Sequence, residues 1–312
     1  MNIVFFGTSE FAIPALKALI ASRHRVLALV TQPDRKRGRL LKVSPPPTKV
    51  LAETKDIPVY QPQDASSPGT IAYLEKLSAD IFVVVSFGQI LKKDVLSIPR
   101  LYAINLHGSL LPRYRGAAPT NWAIVNGDAS TGVTVMRMDE RLDEGDIILR
   151  KEIAIDAEDT NITLSEKLSD IGATALFEAT GLIESGEAIF EKQDAKSATY
   201  APKLKKEDGL IDWKEPAAKI HNKVRGLLPW PGAYTHYGKN VLKILRTEIS
   251  QALSGGGSRH GEVIGFGEGN GIIVRTGSGS LTITHLQLEG KKPLDAAAFL
   301  RGHRIATGYL FV

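Results

Sequence analysis

Residues 81–86 read IFVVVS: five apolar residues in succession, four of them β-branched, and then a serine. A run of this kind, with no polar residue in alternation, marks a strand buried on both faces of a sheet. Working outward, residues 2–6 (NIVFF), 26–31 (VLALVT) and 102–106 (YAINL) have the same texture. Between them lie segments with helical periodicity: Phe11 to Ile20 after Gly7-Thr8-Ser9, then 48–55 and 70–78. Ser9 is placed to cap the first of these helices, and Pro14 falls in its first turn, where proline is tolerated. Alternation of short buried strands with helices predicts an α/β, Rossmann-like domain with a mostly parallel sheet.

The pattern continues with a helix over 119–125 and strands near 133–138 and 147–153. Thr163 to Ile183 is a long helix whose Leu164, Leu168, Ile171, Ala175 and Leu182 fall on one face. Residues 189–205 are polar and without clear period, and read as a linker. Beyond them the texture changes to short β-rich pieces separated by glycines, at 241–246, 262–266, 271–276 and 281–288. SGGGS at 254–258 reads as a surface loop and 296–302 as a short closing helix. The expected division is a catalytic α/β domain over 1–188, the linker 189–205, and a small C-terminal OB-like β-barrel over 206–312.

The 312 residues contain no cysteine, which excludes disulfides, thiolate metal sites and a cysteine nucleophile. No histidine cluster has ligand spacing: His24, His221, His236, His260, His285 and His303 are scattered, so no metal is expected. No run of about 18 apolar residues predicts a membrane span. The chain opens directly on a strand, which predicts a cytoplasmic protein. The net charge of +5 is unevenly placed: Lys203–Val312 carries 16 Lys/Arg against 9 Asp/Glu. A second basic cluster, Arg35, Lys36, Arg37, Arg39 and Lys42, has only Asp34 to oppose it and reads as an exposed loop. Each basic region is either an ordinary solvated surface or a landing site for a polyanion.

The first strand–turn–helix lacks the dinucleotide fingerprint. Gly7-Thr8-Ser9-Glu10-Phe11-Ala12 has one glycine where G-x-G-x-x-G needs three, and no phosphate-binding G-x-x-x-x-G-K-[ST] occurs. The polar residues lie elsewhere. INLHGSLLPRYRG at 104–116 places Asn105 and His107 two residues apart, on one side of a strand if strand geometry persists. Residues 138–146 (MDERLDEGD) hold five acids after another strand. That loop either faces solvent or aims one carboxylate at His107, and the residues alone leave both open.

Asn105-Leu106-His107-Gly108-Ser109-Leu110-Leu111-Pro112, then Arg115-Gly116-Ala117-Ala118-Pro119 and Leu142-Asp143-Glu144-Gly145-Asp146, resemble the 10-formyltetrahydrofolate-dependent formyltransferases. The 36-residue spacing from His107 to Asp143 is that family's. Thr31-Gln32-Pro33-Asp34-Arg35 with Gly38-Arg39, and Leu228-Pro229-Trp230-Pro231, resemble its methionyl-tRNA branch. The chain departs from that branch at Leu40 and Leu41, in place of a glycine and a lysine, and at Phe87, where tyrosine is common. The resemblance implies that Asn105, His107 and Asp143 are catalytic. It implies a pocket for 10-formyltetrahydrofolate built from Ser86, Phe87, Gly88, Gln89, Ile90 and Leu91, from Ser109, Leu110, Leu111 and Pro112, and from Asp139, Glu140, Leu142 and Glu144. It also implies initiator methionyl-tRNA as partner to a monomer. The basic residues then serve as tRNA contacts: Arg35, Lys36, Arg37, Arg39 and Lys42 in the loop, and Lys203, Lys205, Lys206 and Arg225 beyond the linker.

Formyl transfer to an amine develops negative charge on the formyl oxygen, and the amide of Asn105 is a suitable donor to it. His107 either donates a second hydrogen bond or moves protons between the two nitrogens, and Asp143 orients it. Trp230 between two prolines either stacks on a base or packs in the core. Two other functions fit parts of the sequence. A formyltransferase for another amine, such as an amino-sugar nucleotide, has no need of the basic regions. A non-catalytic RNA-binding protein has no need of Asn105, His107 and Asp143.

Overall fold

The computed structural model describes residues 1–37, 42–250 and 259–312, which divide into two compact units. The first unit comprises 1–119, 130–154 and 165–201. Its strands are β1 (Asn2–Gly7), β2 (Arg25–Val30), a basic ribbon of β3 (Arg35–Arg37) and β4 (Lys42–Ser44), β5 (Val59–Tyr60), β6 (Ile81–Val85) and β7 (Tyr102–His107). The short β8 (Arg115–Gly116), then β9 (Ser130–Arg137) and β10 (Ile147–Ala154), follow. Seven of these form one sheet in the order β10-β9-β7-β6-β1-β2-β5. Strands β5, β2, β1, β6 and β7 run parallel, whereas β9 is antiparallel to β7 and β10 to β9. The sheet is therefore mostly parallel, as expected, with two antiparallel strands at one end.

All five residues of β6 are buried, as the unbroken apolar run requires. Phe82 packs against Phe6 with ring centroids 5.1 Å apart, and Phe87 meets Phe6 edge-on at 5.4 Å. Helices α1 (Ile13–Ile20), α2 (Pro47–Glu53), α3 (Pro68–Lys76) and α4 (Lys93–Leu96) fill the crossovers. The anticipated cap at Ser9 is not made. A three-residue turn, Glu10–Ala12, separates it from α1, and its hydroxyl pairs instead with Ser86 Oγ at 2.7 Å. After α5 (Pro119–Val125) comes the long helix α6 (Asn161–Ser185), in which Leu164, Leu168 and Ala175 of the predicted stripe are buried while Ile171 and Leu182 are half-buried. Gly172 lies against the sheet, where a Cβ would stand 2.9 Å from a methyl of Leu106.

The chain leaves β1 for β2 on one side and returns to β6 on the other. That reversal opens a crevice at the carboxyl ends of β1 and β6, the usual ligand position in such sheets. Thr8 Oγ1 donates to the Phe87 carbonyl across it at 2.8 Å. β7, the next strand over, ends in Asn105 and His107.

The segment expected as a linker includes β11 (Tyr200–Ala201), which pairs in parallel with β8. The second unit comprises 120–129, 155–164 and 202–312. It holds α7 (Ala217–Gly226) and an antiparallel sheet in the order β12 (Tyr234–Tyr237), β13 (Asn240–Ser250), β16 (Ser280–Leu288), β15 (Ile272–Arg275) and β14 (Val263–Phe266). β17 (Leu294–Asp295) flanks β16, and α8 (Ala296–Gly302) follows, its first turn capped by Asp295 through the Ala298 N–H at 2.7 Å. Residues 309–312 bond to both ends of the sheet: the His236 N–H donates to Val312 O, and the Val263 N–H to Tyr309 O. This curled antiparallel sheet is the architecture anticipated as an OB-like barrel. SGGGS at 254–258 lies outside the described residues.

His221 on α7 shares a hydrogen bond with Thr247 Oγ1 at 3.0 Å, and its pKa is lowered by burial and by the nearby Arg225 charge. The unfolded chain therefore binds more protons at this site than the folded one. Its contribution is complete above the unfolded value of about 6.5 and is lost as pH falls toward the lower folded value. We expect thermal melts to lose Tm between pH 7.5 and 5, and His221→Gln to lose less. An equal loss in both proteins would contradict this.

Candidate active site

β7 presents Asn105 and His107 on one face, two residues apart. Asn105 is half-buried, and among the described residues its amide meets no hydrogen-bond partner. His107 is buried and fully oriented. Its Nε2 lies 2.9 Å from the Tyr114 carbonyl oxygen, and its Nδ1 lies 3.7 Å from Asp143 Oδ2. A carbonyl oxygen only accepts, so Nε2 carries a hydrogen and Nδ1 is the nitrogen left to exchange a proton. The ambiguity of the acidic loop is thereby resolved: of its five acids, Asp143 is the one beside the imidazole.

Asp143 is buried at 9% exposure and sits at φ 55°, a left-handed conformation that costs a non-glycine residue about 1 kcal/mol or more. Two bonds hold it there. Its Oδ2 accepts the Gly116 N–H at 2.8 Å, and its carbonyl accepts from Gln193 Nε2 at 2.9 Å. Gly116 has φ +123°, and a Cβ there would stand 2.6 Å from the Ala201 carbonyl oxygen, so only glycine brings this N–H to the carboxylate. Between Tyr114 and Gly116, Arg115 is 3% exposed. It donates to Gln193 Oε1 through Nε at 3.1 Å and Nη2 at 2.8 Å, and pairs with Glu144 Oε1 at 3.1 Å. Glu144 in turn meets Arg141 at 3.1 Å. Tyr114, Arg115, Gly116 and Gln193 were not singled out from the sequence for these roles. A glycine in a loop hints at positive φ, but nothing local signals a buried arginine or a glutamine arriving from far downstream.

The residues expected around a folate pocket divide by exposure. Ile90 at 75% and Leu142 at 59% present bare apolar side chains to solvent, and Gly88, at φ +87°, opens the loop between β6 and Ile90. Leu110 and Pro112 are half-buried, Asp139 is held by Arg141, and Glu140 is exposed. Phe87 and Leu91 have their side chains in the core. Leu111 packs with Met136 and Ile147. Ser109 is fully buried and donates to the Arg113 carbonyl at 2.6 Å. Gln89 accepts the Ala65 N–H at 2.8 Å, and Ser86 is taken by Ser9. For Phe87, Leu91, Ser109 and Leu111, then, the side chains are buried and are not available to face a ligand. Among the described residues, no three His, Asp or Glu gather as metal ligands, and no helix is long and apolar enough to cross a membrane.

The basic cluster expected as a loop forms the β3–β4 ribbon. Its base is pinned by Asp34, which accepts from Lys49 Nζ at 2.9 Å and Gln61 Nε2 at 2.8 Å; these bonds, Gln61's foremost, hold the carboxyl below its usual pKa. Arg35 bonds Gln32 Oε1 at 2.9 Å. Arg39 lies outside the described residues, as do the side chains of Lys36, Arg37 and Lys42. In the second unit Lys203, Lys205 and Lys206 are exposed. Arg225 is committed inward, donating to the carbonyls of Asp159 at 2.8 Å and Asp156 at 3.2 Å and to Asn222 Oδ1. Trp230 is 53% exposed, which removes the core-packing alternative.

The family model described as "Formyl transferase" matches residues 1–180, and "Formyl transferase, C-terminal domain" matches 203–304. A methionyl-tRNA formyltransferase of Geotalea daltonii is 49% identical over 308 residues, covering 99% of this chain and 97% of that protein. One from Caldanaerobacter subterraneus is 45% identical, covering 99% of each. A solved N-formyltransferase from Helicobacter canadensis, in complex with folinic acid and dTDP-3-aminofucose, has a TM-score of 0.66 at 18% identity, covering 90% of this chain and 98% of that one. That last likeness is one of fold.

Removing the Arg115 charge leaves Glu144 with Arg141 alone and strands the Gln193 carbonyl oxygen. We expect Arg115→Met to cost about 3 kcal/mol, the low end for splitting a buried pair because Glu144 keeps some solvent. Urea unfolding measures it, and a cost below about 1 kcal/mol, the ordinary worth of an exposed pair, would contradict the clamp.

Proposed function

The chain belongs to the formyl transferase family, in its methionyl-tRNA formyltransferase branch, and from that premise we propose which of its residues carry the reaction. The enzyme transfers the formyl group of 10-formyltetrahydrofolate to the amino group of methionyl-tRNA. The observation that carries the residue assignment is the unpaired Asn105 amide on the same strand face as an imidazole that the Tyr114 carbonyl orients and that has the Asp143 carboxylate beside it.

The folate co-substrate supplies an activated formyl group on nitrogen. The residues present suit it: Ile90 and Leu142 offer apolar surface to its rings, and Asn105 offers a donor to the formyl oxygen. As the methionyl amine adds, Asn105 stabilises the charge that grows on that oxygen. His107 takes the amine's proton at Nδ1, the nitrogen left free by the Tyr114 bond, and returns it to the departing nitrogen. Asp143 favours the imidazolium that exists between these transfers. The acid–base task falls to Nδ1, and the hydrogen bond to oxygen falls to Asn105.

We further propose that the acceptor is the initiator methionyl-tRNA, met by the β3–β4 ribbon and by Lys203, Lys205 and Lys206, and that the enzyme acts in the cytoplasm as a monomer. Two basic regions suit the extended phosphate backbone, and phosphate contacts position the acceptor without reading its sequence. Arg225 belongs to the internal structure of its unit and is left out of this set.

Asn105→Ala should lower kcat/KM for formylation about 10²–10³-fold, the loss seen when one oxyanion donor is removed. An unchanged kcat/KM sinks the assignment of Asn105. Replacing Lys203, Lys205 and Lys206 together by alanine should weaken methionyl-tRNA binding and flatten its dependence on log[salt] by about 2–3 units of slope. Equal slopes before and after would remove these lysines from the interface.

A further inference from the structure

Residues 191–201 are polar, mostly exposed and without period, yet the backbone they follow is fixed at several points to the two loops that hold His107 and Asp143. Glu191 exchanges both backbone bonds with Ile147, at 2.7 and 2.9 Å, where β10 begins. Thr199 receives the Tyr114 N–H on its Oγ1 at 2.9 Å and the Arg115 N–H on its carbonyl at 2.8 Å. Ala201 receives the Ala117 N–H at 2.9 Å. Between these anchors, Gln193 reaches into the acidic loop.

A glutamine amide has two N–H donors and an oxygen with two lone pairs. Here all four are used. Nε2 donates to the carbonyls of Asp143 at 2.9 Å and Gly145 at 2.8 Å, and Oε1 accepts both bonds from Arg115. The amide cannot be turned over, because that would set its N–H groups against a guanidinium and its oxygen against two carbonyls. Gln193 thus fixes the peptide of the one residue in this loop that stands at a positive φ and carries the carboxylate. Thr199 does the same for Tyr114, also at positive φ (61°), whose carbonyl orients His107.

We propose that residues 191–201 form a positioning strap for the catalytic pair, with Gln193 setting Asp143 and Thr199 setting His107. The proposal rests on the reading of Asp143 and His107 as the acid–base pair. Gln193 is a positioning residue: it acts on the rate through Asp143 and touches no substrate. A role confined to general stability would leave the rate of folded enzyme unchanged, or lower it equally whether or not Asp143 has its carboxylate.

The discriminating variant is Gln193→Glu. It keeps an acceptor for Arg115, and so keeps the clamp, but replaces the donor facing the Asp143 and Gly145 carbonyls with an oxygen. Steady-state formylation of methionyl-tRNA, over a range of both substrates, is measured in the wild type, Gln193→Glu, Asp143→Ala and the double variant. The strap predicts a fall in kcat of about 10–100-fold for Gln193→Glu, the scale of a small misplacement of a catalytic group. It predicts KM values within about threefold of wild type, and less than a twofold further fall when Asp143 is already alanine. The same factor lost in both backgrounds, or an unchanged kcat in Gln193→Glu, overturns the strap while leaving Asp143 in its role. A wild-type rate for Asp143→Ala overturns the assignment of Asp143 and the strap with it. Should Gln193→Glu not fold, Thr199→Ala in wild-type and His107→Ala backgrounds reads the other tie by the same logic.

Discussion

The hydrogen bond between His107 Nε2 and the Tyr114 carbonyl decides most of what the site can do. A carbonyl has no hydrogen to give, so one imidazole nitrogen is permanently a donor and only Nδ1 is left to exchange a proton. That nitrogen faces Asp143. The carbonyl itself belongs to a residue at positive φ, and the next residue but one is the glycine whose N–H holds the carboxylate. Three consecutive residues, Tyr114-Arg115-Gly116, therefore supply the acceptor that orients the base, the guanidinium that ties down the acidic loop, and the donor that fixes the acid.

The sheet explains why this arrangement can exist. β6 and β7 run parallel and buried, so the polar ends of these strands emerge together at the edge where the chain reverses direction across β1. β9 then returns antiparallel beside β7, pairing Thr134 with His107 and Arg137 with Ile104, so the loop after it leaves from the amino-terminal side of β7 and folds back to set Asp143 beside His107. The left-handed conformations at Tyr114 and Asp143 are held by hydrogen bonds that arrive from residues 193 and 199, far downstream in sequence.

The parts legible in the sequence were those governed by local pattern. The unbroken apolar runs of β1 and β6, the long stripe of α6 and the change of texture after the polar segment each follow from a short window of residues. Asn105 and His107 were legible as a pair because a strand has a period of two, and family resemblance supplied Asp143. What stayed hidden depends on distant partners. Ser9 has the right residue type for a cap, but Ser86 lies within reach and takes its hydroxyl. Phe87, Leu91 and Leu111 lie in segments that border the site, yet their side chains go to the core because large apolar groups gain more from burial than from facing a polar cleft. Arg225 counted as one more surface charge until its guanidinium was seen bonding backbone carbonyls of its own unit. The segment around Gln193 has the composition of a linker. Composition reports that a stretch makes no core; it is silent on whether its polar groups are claimed by a neighbouring loop.

The account turns on which nitrogen of His107 keeps its hydrogen, and nitrogen-15 NMR of histidine-labelled enzyme reports that directly. At a pH where the imidazole is neutral, His107 is expected to be the Nε2–H tautomer, with Nδ1 showing the shift of an unprotonated ring nitrogen. A neutral His107 carrying its hydrogen on Nδ1 would contradict it, because the Tyr114 carbonyl would then face a lone pair and the proton-transfer role assigned to Nδ1 would have no basis.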